Sequence, residues 1–325
     1  MQLLPDFKVQ FPTTLQDAVR LLSADNGARV LAGGTGLVPN LRMGLVAPDV
    51  LVSLDRVQGF KDITRAGGTL RLGAGTRLEQ LARDAQVCTL FPALAEAALT
   101  IAGPSHRSVA TVGGNLCLDT RCVFYNQNET WRSSNNYCLK YRGDTCHVAP
   151  QGKHCHAAYS GDLAPVLLAL GAEIEIAGPS GTRTAPLATL YRDDGAAHLT
   201  LAQGELLAAV RIPEPAAGQR LGYRKARVRG AIDFPLAGVA VSLRMQKGKV
   251  SSLKVAVTGT NSSPLLITGT ADLEGQAADQ ALCDKLSKLV QRQVQPQRTT
   301  VTASNYRRQV AAALATRLVR ELSAA

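Results

Sequence analysis

Ala32-Gly33-Gly34-Thr35-Gly36-Leu37 and, about 80 residues later, Thr111-Val112-Gly113-Gly114-Asn115 decide how this chain is read. The first run sits between Arg29–Ala32, which reads as a strand, and Leu37–Met43, which reads as a short helix. Bare N–H groups in such a turn can approach a phosphate, and the helix N-terminus adds a favourable partial charge. It is not a P-loop, because Gly-Lys-Ser/Thr is missing. A dinucleotide fingerprint fails too, since its third glycine would fall on Pro39. The second run reads as a strand from Val109 that enters another glycine turn. Two such units could clamp a pyrophosphate from both sides, whereas either alone is also an ordinary tight turn.

Outward from these turns, Thr13-Thr14 precedes Leu15, Ala18, Val19, Leu21 and Leu22, the pattern of a capped amphipathic helix. Val50–Leu54 and Leu70–Gly73 read as strands, with helices from about Leu78 and across Ala93–Thr100. Gly161–Leu170 reads as a helix closed by Gly171, and Ala172–Ile176 alternates as a half-buried strand. Pro213-Glu214-Pro215 marks a boundary near residues 213–218. Beyond it, Leu236–Met245 and Val250–Thr258 have period 2, and about Ala271–Val294 and Asn305–Leu322 are helical. The expectation is an α+β, mixed-sheet protein. It has a first domain over 1–215, in parts 1–55 and 56–215, and a smaller sheet-plus-helices domain over 216–325.

The 325 residues suffice for two or three domains. Hydrophobic residues at 46% and charged residues at 19% exclude a disordered or collagenous chain. No apolar run approaches the roughly 20 residues that span a bilayer. Met1–Gln10 lacks a basic segment before an apolar one, so no signal peptide and a cytoplasmic location are expected. Lys and Arg number 36 against 25 Asp and Glu, and this +11 balance favours anionic partners. Aromatics are only 4% and nucleic-acid-binding spacings are absent, so nucleic acid is not the expected partner. No nucleophile–base pair or carboxylate dyad asks for hydrolysis, and His106 reads as a structural or cofactor-side residue.

Five of the seven cysteines (Cys117, Cys122, Cys138, Cys146, Cys155) lie within 39 residues. Disulfides are disfavoured in a chain without an export signal, so clustered thiols point to metal or redox chemistry. Asp119–Ser160 shows no sustained apolar period. A loop of that length needs something else to order it, and a metal would do so. Cys88 and Cys283 sit in helical patterns and read as small buried hydrophobes.

The two glycine turns, together with Ile101-Ala102-Gly103, Gly161–Ala172 and Tyr223-Arg224-Lys225-Ala226-Arg227, resemble the flavin subunits of molybdenum hydroxylases. That family includes the medium chains of xanthine and carbon monoxide dehydrogenases. The resemblance implies FAD held in a vanillyl-alcohol-oxidase type of fold with no Rossmann domain. By position it places Val30, Leu31, Ala32, Gly33, Gly34, Thr35, Gly36 and Leu37, with Thr111, Gly114 and Asn115, at the pyrophosphate and ribose. Ile101 would pack near the flavin or adenine, Asp162 would accept hydrogen bonds from the cofactor, and Lys225 would sit near the flavin ring. Their ordinary readings are a core residue, a helix N-cap and part of a solvated basic run.

In usual members of that family the Gly-Gly-Asn turn runs within about a dozen residues into the Asp-Leu that opens the helix. Here 46 residues separate Asn115 from Asp162. That insertion resembles one branch, the FAD subunits of 4-hydroxybenzoyl-CoA reductases. The expected ligands of a [4Fe–4S] cluster are then Cys122, Cys138, Cys146 and Cys155, with Cys117 a structural or flavin-loop thiol. His147, His154 and His156 keep zinc open as a rival, though no Cys-x2-Cys knuckle is present. The resemblance implies the molybdenum cofactor and [2Fe–2S] clusters on partner subunits. Ferredoxin would be the electron donor, docked on Arg121, Arg132, Lys140, Arg142 and Lys153. The alternative is an NAD-linked subunit whose insertion is a zinc-stapled loop.

Overall fold

The computed structural model describes residues 4–295, 302–303 and 305–324, so Met1–Leu3 of the N-terminal stretch lie outside it. Thr14 caps the first helix, Leu15–Ala24, by accepting from the Asp17 amide at 3.1 Å. Ala18, Val19 and Leu22 form its buried stripe. The helix connects two strands of a small parallel sheet, β1 (Lys8–Gln10) and β2 (Arg29–Leu31), which both pair with β3 (Val50–Ser53). The order is β1-β3-β2.

A second sheet is antiparallel throughout. It comprises β4 (Ile63–Ala66), β5 (Thr69–Gly73), β6 (Glu173–Gly178), β7 (Gly181–Pro186) and β8 (Leu206–Pro213), ordered β4-β5-β8-β6-β7. Parallel and antiparallel pairing thus occupy separate sheets, not one mixed sheet as expected; β4-β5 and β6-β7 are hairpins, whereas β8 pairs with the distant β5 and inserts between the two hairpins. Helix Leu163–Leu170 is buried along its whole length and ends at Gly171, whose φ of 72° meets the left-handed C-cap without a Cβ penalty.

The third sheet, ordered β12-β11-β10-β9, contains β9 (Gln219–Ala226), β10 (Ala237–Gln246), β11 (Lys249–Thr258) and β12 (Leu265–Leu266). Its side-chain alternation splits it between two cores. Val239, Val241, Leu243 and Val255 face helices Gln280–Gln293 and Tyr306–Ala324. Tyr223, Ala240 and Ala256 instead join the large core shared with helix Leu163–Leu170. The helical reading of 271–294 resolves into a 3-10 turn, Thr270–Leu273, and a helix that begins only after its Asp279 cap.

Two further expectations change. Val112–Leu116 is a short helix, not the end of a strand, because the Thr111 hydroxyl accepts from the Gly114 amide at 3.1 Å and starts a turn there. The insertion is not structureless either. Asn128 caps a helix, Glu129–Ser134, through the Trp131 amide at 2.9 Å. The two ends of the insertion meet in an antiparallel bridge, with Arg121 and Ala158 exchanging N–H···O bonds of 2.8 Å.

Candidate functional site

Three glycine-bearing loops converge. A Cβ on Gly33 would stand 2.2 Å from the Val109 carbonyl oxygen, one on Gly113 would stand 2.8 Å from the Ala74 Cβ, and one on Gly75 would stand 2.3 Å from the Phe60 ring. Only hydrogen fits at these positions. Backbone bonds lock the approach: Val112 donates to Thr76 at 2.9 Å, Gly113 to Ala74 at 2.7 Å and Leu78 to Ala110 at 2.9 Å. Gly34 takes a φ of 71°, which turns the chain sharply after β2. Among the described residues, the amides of Gly33, Gly34, Thr35 and Gly36 donate to no carbonyl or side chain. A turn of unclaimed N–H groups is an anion cradle.

The loops enclose a solvent-open cleft of about 170 Å³ lined by Ala32, Gly33, Leu54, Asp55, Phe60, Lys61, Gly75, Arg77, Val109 and Thr111. Lys61 and Arg77 bring positive charge to it, Lys61 held by Asp55 at 2.6 Å. The cleft therefore suits the pyrophosphate part of FAD: a cradle that only glycine permits, with cations at its rim. Of the residues expected here, Ala32, Gly33 and Thr111 line the cleft, whereas Val30 is exposed on β2 and Leu31 is partly buried. Asp55, Phe60, Lys61, Gly75 and Arg77 went unforeseen. Gly73-Ala74-Gly75-Thr76 repeats the glycine-turn pattern after β5 and was the signal that could have found them.

Deeper in, Asn115 and Asp162 tie this region to the third sheet. The Asn115 side-chain oxygen accepts from the Leu163 amide at 3.0 Å, and its backbone carbonyl accepts from the buried Tyr159 hydroxyl at 3.0 Å. Asp162 stands at the N-cap position without a capping bond. Its carboxylate accepts from the Tyr223 hydroxyl at 2.6 Å and pairs with Lys225 at 3.0 Å, both charged side chains being 3% exposed. Burial pushes the Asp162 carboxyl up and the Lys225 ammonium down, and the ion pair opposes both shifts. Lys225 also donates to the Thr100 carbonyl at 3.2 Å, beside Ile101, which packs on the core. Structure thus gathers Asn115, Asp162, Lys225 and Ile101 into one buried corner. Ala102 there holds a left-handed φ of 46°.

The insertion makes a second site. Cys122, Cys138, Cys146 and Cys155 line one small cavity of about 10 Å³, together with Phe124, Tyr125, Lys140 and His147. Cys117 lies elsewhere, at the C-cap of helix Val112–Leu116, where burial pushes its thiol up to about 12. Cys155, with the amides of His156, Ala149 and Val148, draws Cys146 toward thiolate, while Cys146 and burial push the Cys155 thiol up. Ala157 donates its amide to the Cys155 sulfur at 3.4 Å. The His147 Nε2–H donates to the Tyr137 carbonyl at 2.5 Å, which removes that nitrogen as a ligand. His154 and His156 stack with ring centroids 4.3 Å apart. Among the described residues no group of three or more His, Cys, Asp or Glu is arranged to hold a metal ion. The four cysteines nevertheless share one pocket.

Two expectations for the surface are corrected. Arg132 is 1% exposed and bonded to Glu129 at 2.6 Å and to the Gly44 carbonyl at 3.2 Å. Lys140, 6% exposed, pairs with Asp119 at 2.6 Å. Neither can meet a partner protein, and of the expected basic face only Arg142 and Lys153 are exposed. Cys88 is exposed, not buried, because its helix Ala85–Leu90 buries only Val87.

Comparison with known proteins adds to this geometry. Residues 5–215 match the FAD binding domain in molybdopterin dehydrogenase, and residues 222–322 match the CO dehydrogenase flavoprotein C-terminal domain. The carbon monoxide dehydrogenase medium chain of Afipia carboxidovorans is 28% identical over 320 residues, 98% of this chain and 97% of that one. The aldehyde oxidoreductase FAD-binding subunit PaoB of Escherichia coli is 33% identical over 270 residues, 80% of this chain and 83% of that one. A solved Cu,Mo-CO dehydrogenase, in its cyanide-inactivated form, superposes with a TM-score of 0.83 at 27% identity over 99% of both chains. Among the described residues no helix is long and apolar enough to cross a membrane.

Proposed function

The chain belongs to the FAD-binding subunits of the molybdopterin dehydrogenases, an oxidoreductase family, and from that premise we propose a finer reading. It is the flavin and iron–sulfur electron-transfer subunit of a molybdenum-containing 4-hydroxybenzoyl-CoA reductase. It serves to pass electrons from ferredoxin toward the molybdenum subunit, for reductive dehydroxylation to benzoyl-CoA. The observation that carries this reading is the cavity walled by four insertion cysteines. The choice of substrate rests on the resemblance of the insertion to that branch.

FAD exchanges one or two electrons and an iron–sulfur cluster one at a time, so together they supply a junction between one-electron and two-electron carriers. The chain's own residues do the holding. The amides of Gly33–Gly36, with Lys61 and Arg77 nearby, receive the pyrophosphate, and Thr111, Gly114 and Asn115 brace the facing turn. Asp162 and Lys225 fix the corner beside Ile101. In the insertion, Cys122, Cys138, Cys146 and Cys155 supply four thiolates, with the amide donors around Cys146 and Cys155 favouring negative sulfur. The expected partners are a molybdenum-cofactor subunit and a [2Fe–2S] subunit. Ferredoxin docking draws on Arg142 and Lys153 alone among the foreseen cations.

The test is anaerobic purification of the native complex, with iron, acid-labile sulfide, zinc and FAD measured per chain, against Cys→Ser variants at the four positions. Four irons and four sulfides beyond the [2Fe–2S] complement, lost in each variant while FAD remains, are expected. One zinc and no additional sulfide would make the insertion a structural staple and remove the ferredoxin-linked reading.

A further inference from the structure

Lys140 was foreseen as part of a docking surface, and its surroundings give it a different task. Its side chain is 6% exposed, and its ammonium donates to Asp119 Oδ1 at 2.6 Å, to the Thr120 carbonyl at 3.0 Å and to the Thr120 hydroxyl. The Tyr125 ring lies under it, 4.6 Å from the ammonium to the ring centroid. Thr120 in turn donates its hydroxyl proton to the Gly195 carbonyl at 2.6 Å, which leaves its lone pair for the lysine. Burying an ammonium is costly unless such a network satisfies it. A network of this kind fixes the charge in one place.

That place is the cysteine cavity. Lys140 lines it with all four thiols, and it is the one permanently charged side chain among the described residues that does so. Asp119 does not line the cavity, whereas Lys140 and the Tyr125 ring beneath its ammonium both do. Arg132, the other buried cation of the insertion, does not line the cavity and meets Glu129, Gly44 and the Tyr141 ring instead. Charge beside a cavity shielded from water is screened far less than charge on a surface. The potential of an iron–sulfur cluster follows net charge, hydrogen bonds and exposure.

We propose, resting on the iron–sulfur reading above, that Lys140 is a positioning residue that raises the reduction potential of the four-cysteine site and that Asp119 moderates it. Reduction adds one electron and one negative charge to the cluster, with no bond made or broken, and a fixed cation at the wall stabilises that product. The electron comes from a low-potential one-electron donor.

The native complex, purified without oxygen, is titrated with dithionite and mediators while low-temperature EPR reads the reduced cluster. Lys140→Met is expected to lower the reduced-to-oxidised ratio at fixed potential at least tenfold, a negative shift of about 59 mV for one electron. Lys140→Arg keeps the wild-type ratio, and Asp119→Asn moves it the opposite way from Lys140→Met. An unchanged midpoint in Lys140→Met at full iron and sulfide content overturns the inference and leaves the cluster reading standing. Wild-type complex without the additional iron and sulfide overturns the cluster reading, and this inference with it. Should Lys140→Met take up no iron, Asp119→Asn decides: a positive shift supports the assignment and an unchanged midpoint overturns it.

Discussion

Replacing Gly33 by alanine places a methyl group where the facing turn already stands. The new Cβ would lie 2.2 Å from the Val109 oxygen, 2.7 Å from its carbonyl carbon and 2.8 Å from the Ala110 Cα. Since ordinary contacts lie near 3.5–4.0 Å, the two turns must part by roughly 1 Å. All three neighbours are backbone, and they cannot swing aside. Val109 and Ala110 donate to the His106 carbonyl at 3.2 and 2.7 Å, and Ala110 accepts from Leu78 at 2.9 Å. Overpacking of this kind costs about 1–3 kcal/mol. If the clamp on FAD bears that cost, affinity falls roughly 5- to 150-fold. Gly36 is the contrast: its φ is −100°, and an added Cβ would meet only a Leu118 methyl at 3.8 Å. Urea unfolding of flavin-free protein and FAD titration by fluorescence measure the two quantities separately. Gly33→Ala should lower the unfolding midpoint and weaken FAD, whereas Gly36→Ala should leave the flavin-free midpoint unchanged. A Gly33→Ala protein that matches the wild type in both measurements refutes the reasoning.

Two other outcomes follow from buried charge. Lys225→Met leaves Asp162 buried with the Tyr223 hydroxyl and should cost about 3–5 kcal/mol, most of it recovered when Asp162→Asn is added; strictly additive costs in a double-mutant cycle of urea unfolding would show that the pair is not coupled. His198 is buried, and burial followed by the charge of Lys140 lowers its pKa from 6.5 to about 4. An unfolded chain takes up that proton near pH 6.5 and the folded one only near 4. Stability from this group is therefore complete above pH 6.5 and falls by about 3 kcal/mol as pH drops to 4. The same unfolding curve run with His198→Leu should lose that slope, and an identical slope in both proteins contradicts the assignment.

Local signals in the chain were legible where they were also sufficient. The Thr14 cap, the apolar run Leu163–Leu170 with its terminal glycine, and the alternation in β10 and β11 each state their structure within a few residues. β9 was not read, because Arg220, Arg224 and Lys225 look like a solvated run. What buries Lys225 is Asp162, on a helix cap 63 residues away. Arg132 and Lys140 misled for the same reason, since their partners Gly44, Asp119 and Thr120 make them interior groups. In the candidate site, the glycines of the first turn were legible as a cradle. Phe60 and Arg77 were not, because pairing of residues 74–78 with 110–113 brings them in, and tertiary pairing leaves no mark on either segment alone.

The bridge between Arg121 and Ala158 bears on how this chain came to differ from a shorter one. Because the polypeptide leaves the fold and returns to it at adjacent points, the 36 residues between them form a side excursion whose removal would not force the flanking backbone to move. Closing so long a loop costs little more than closing a short one, as the penalty grows only with the logarithm of length. Lys140 to Thr120, Arg132 to Gly44 and Cys155 to Asp194 are the seams that fasten the excursion to the rest of the fold.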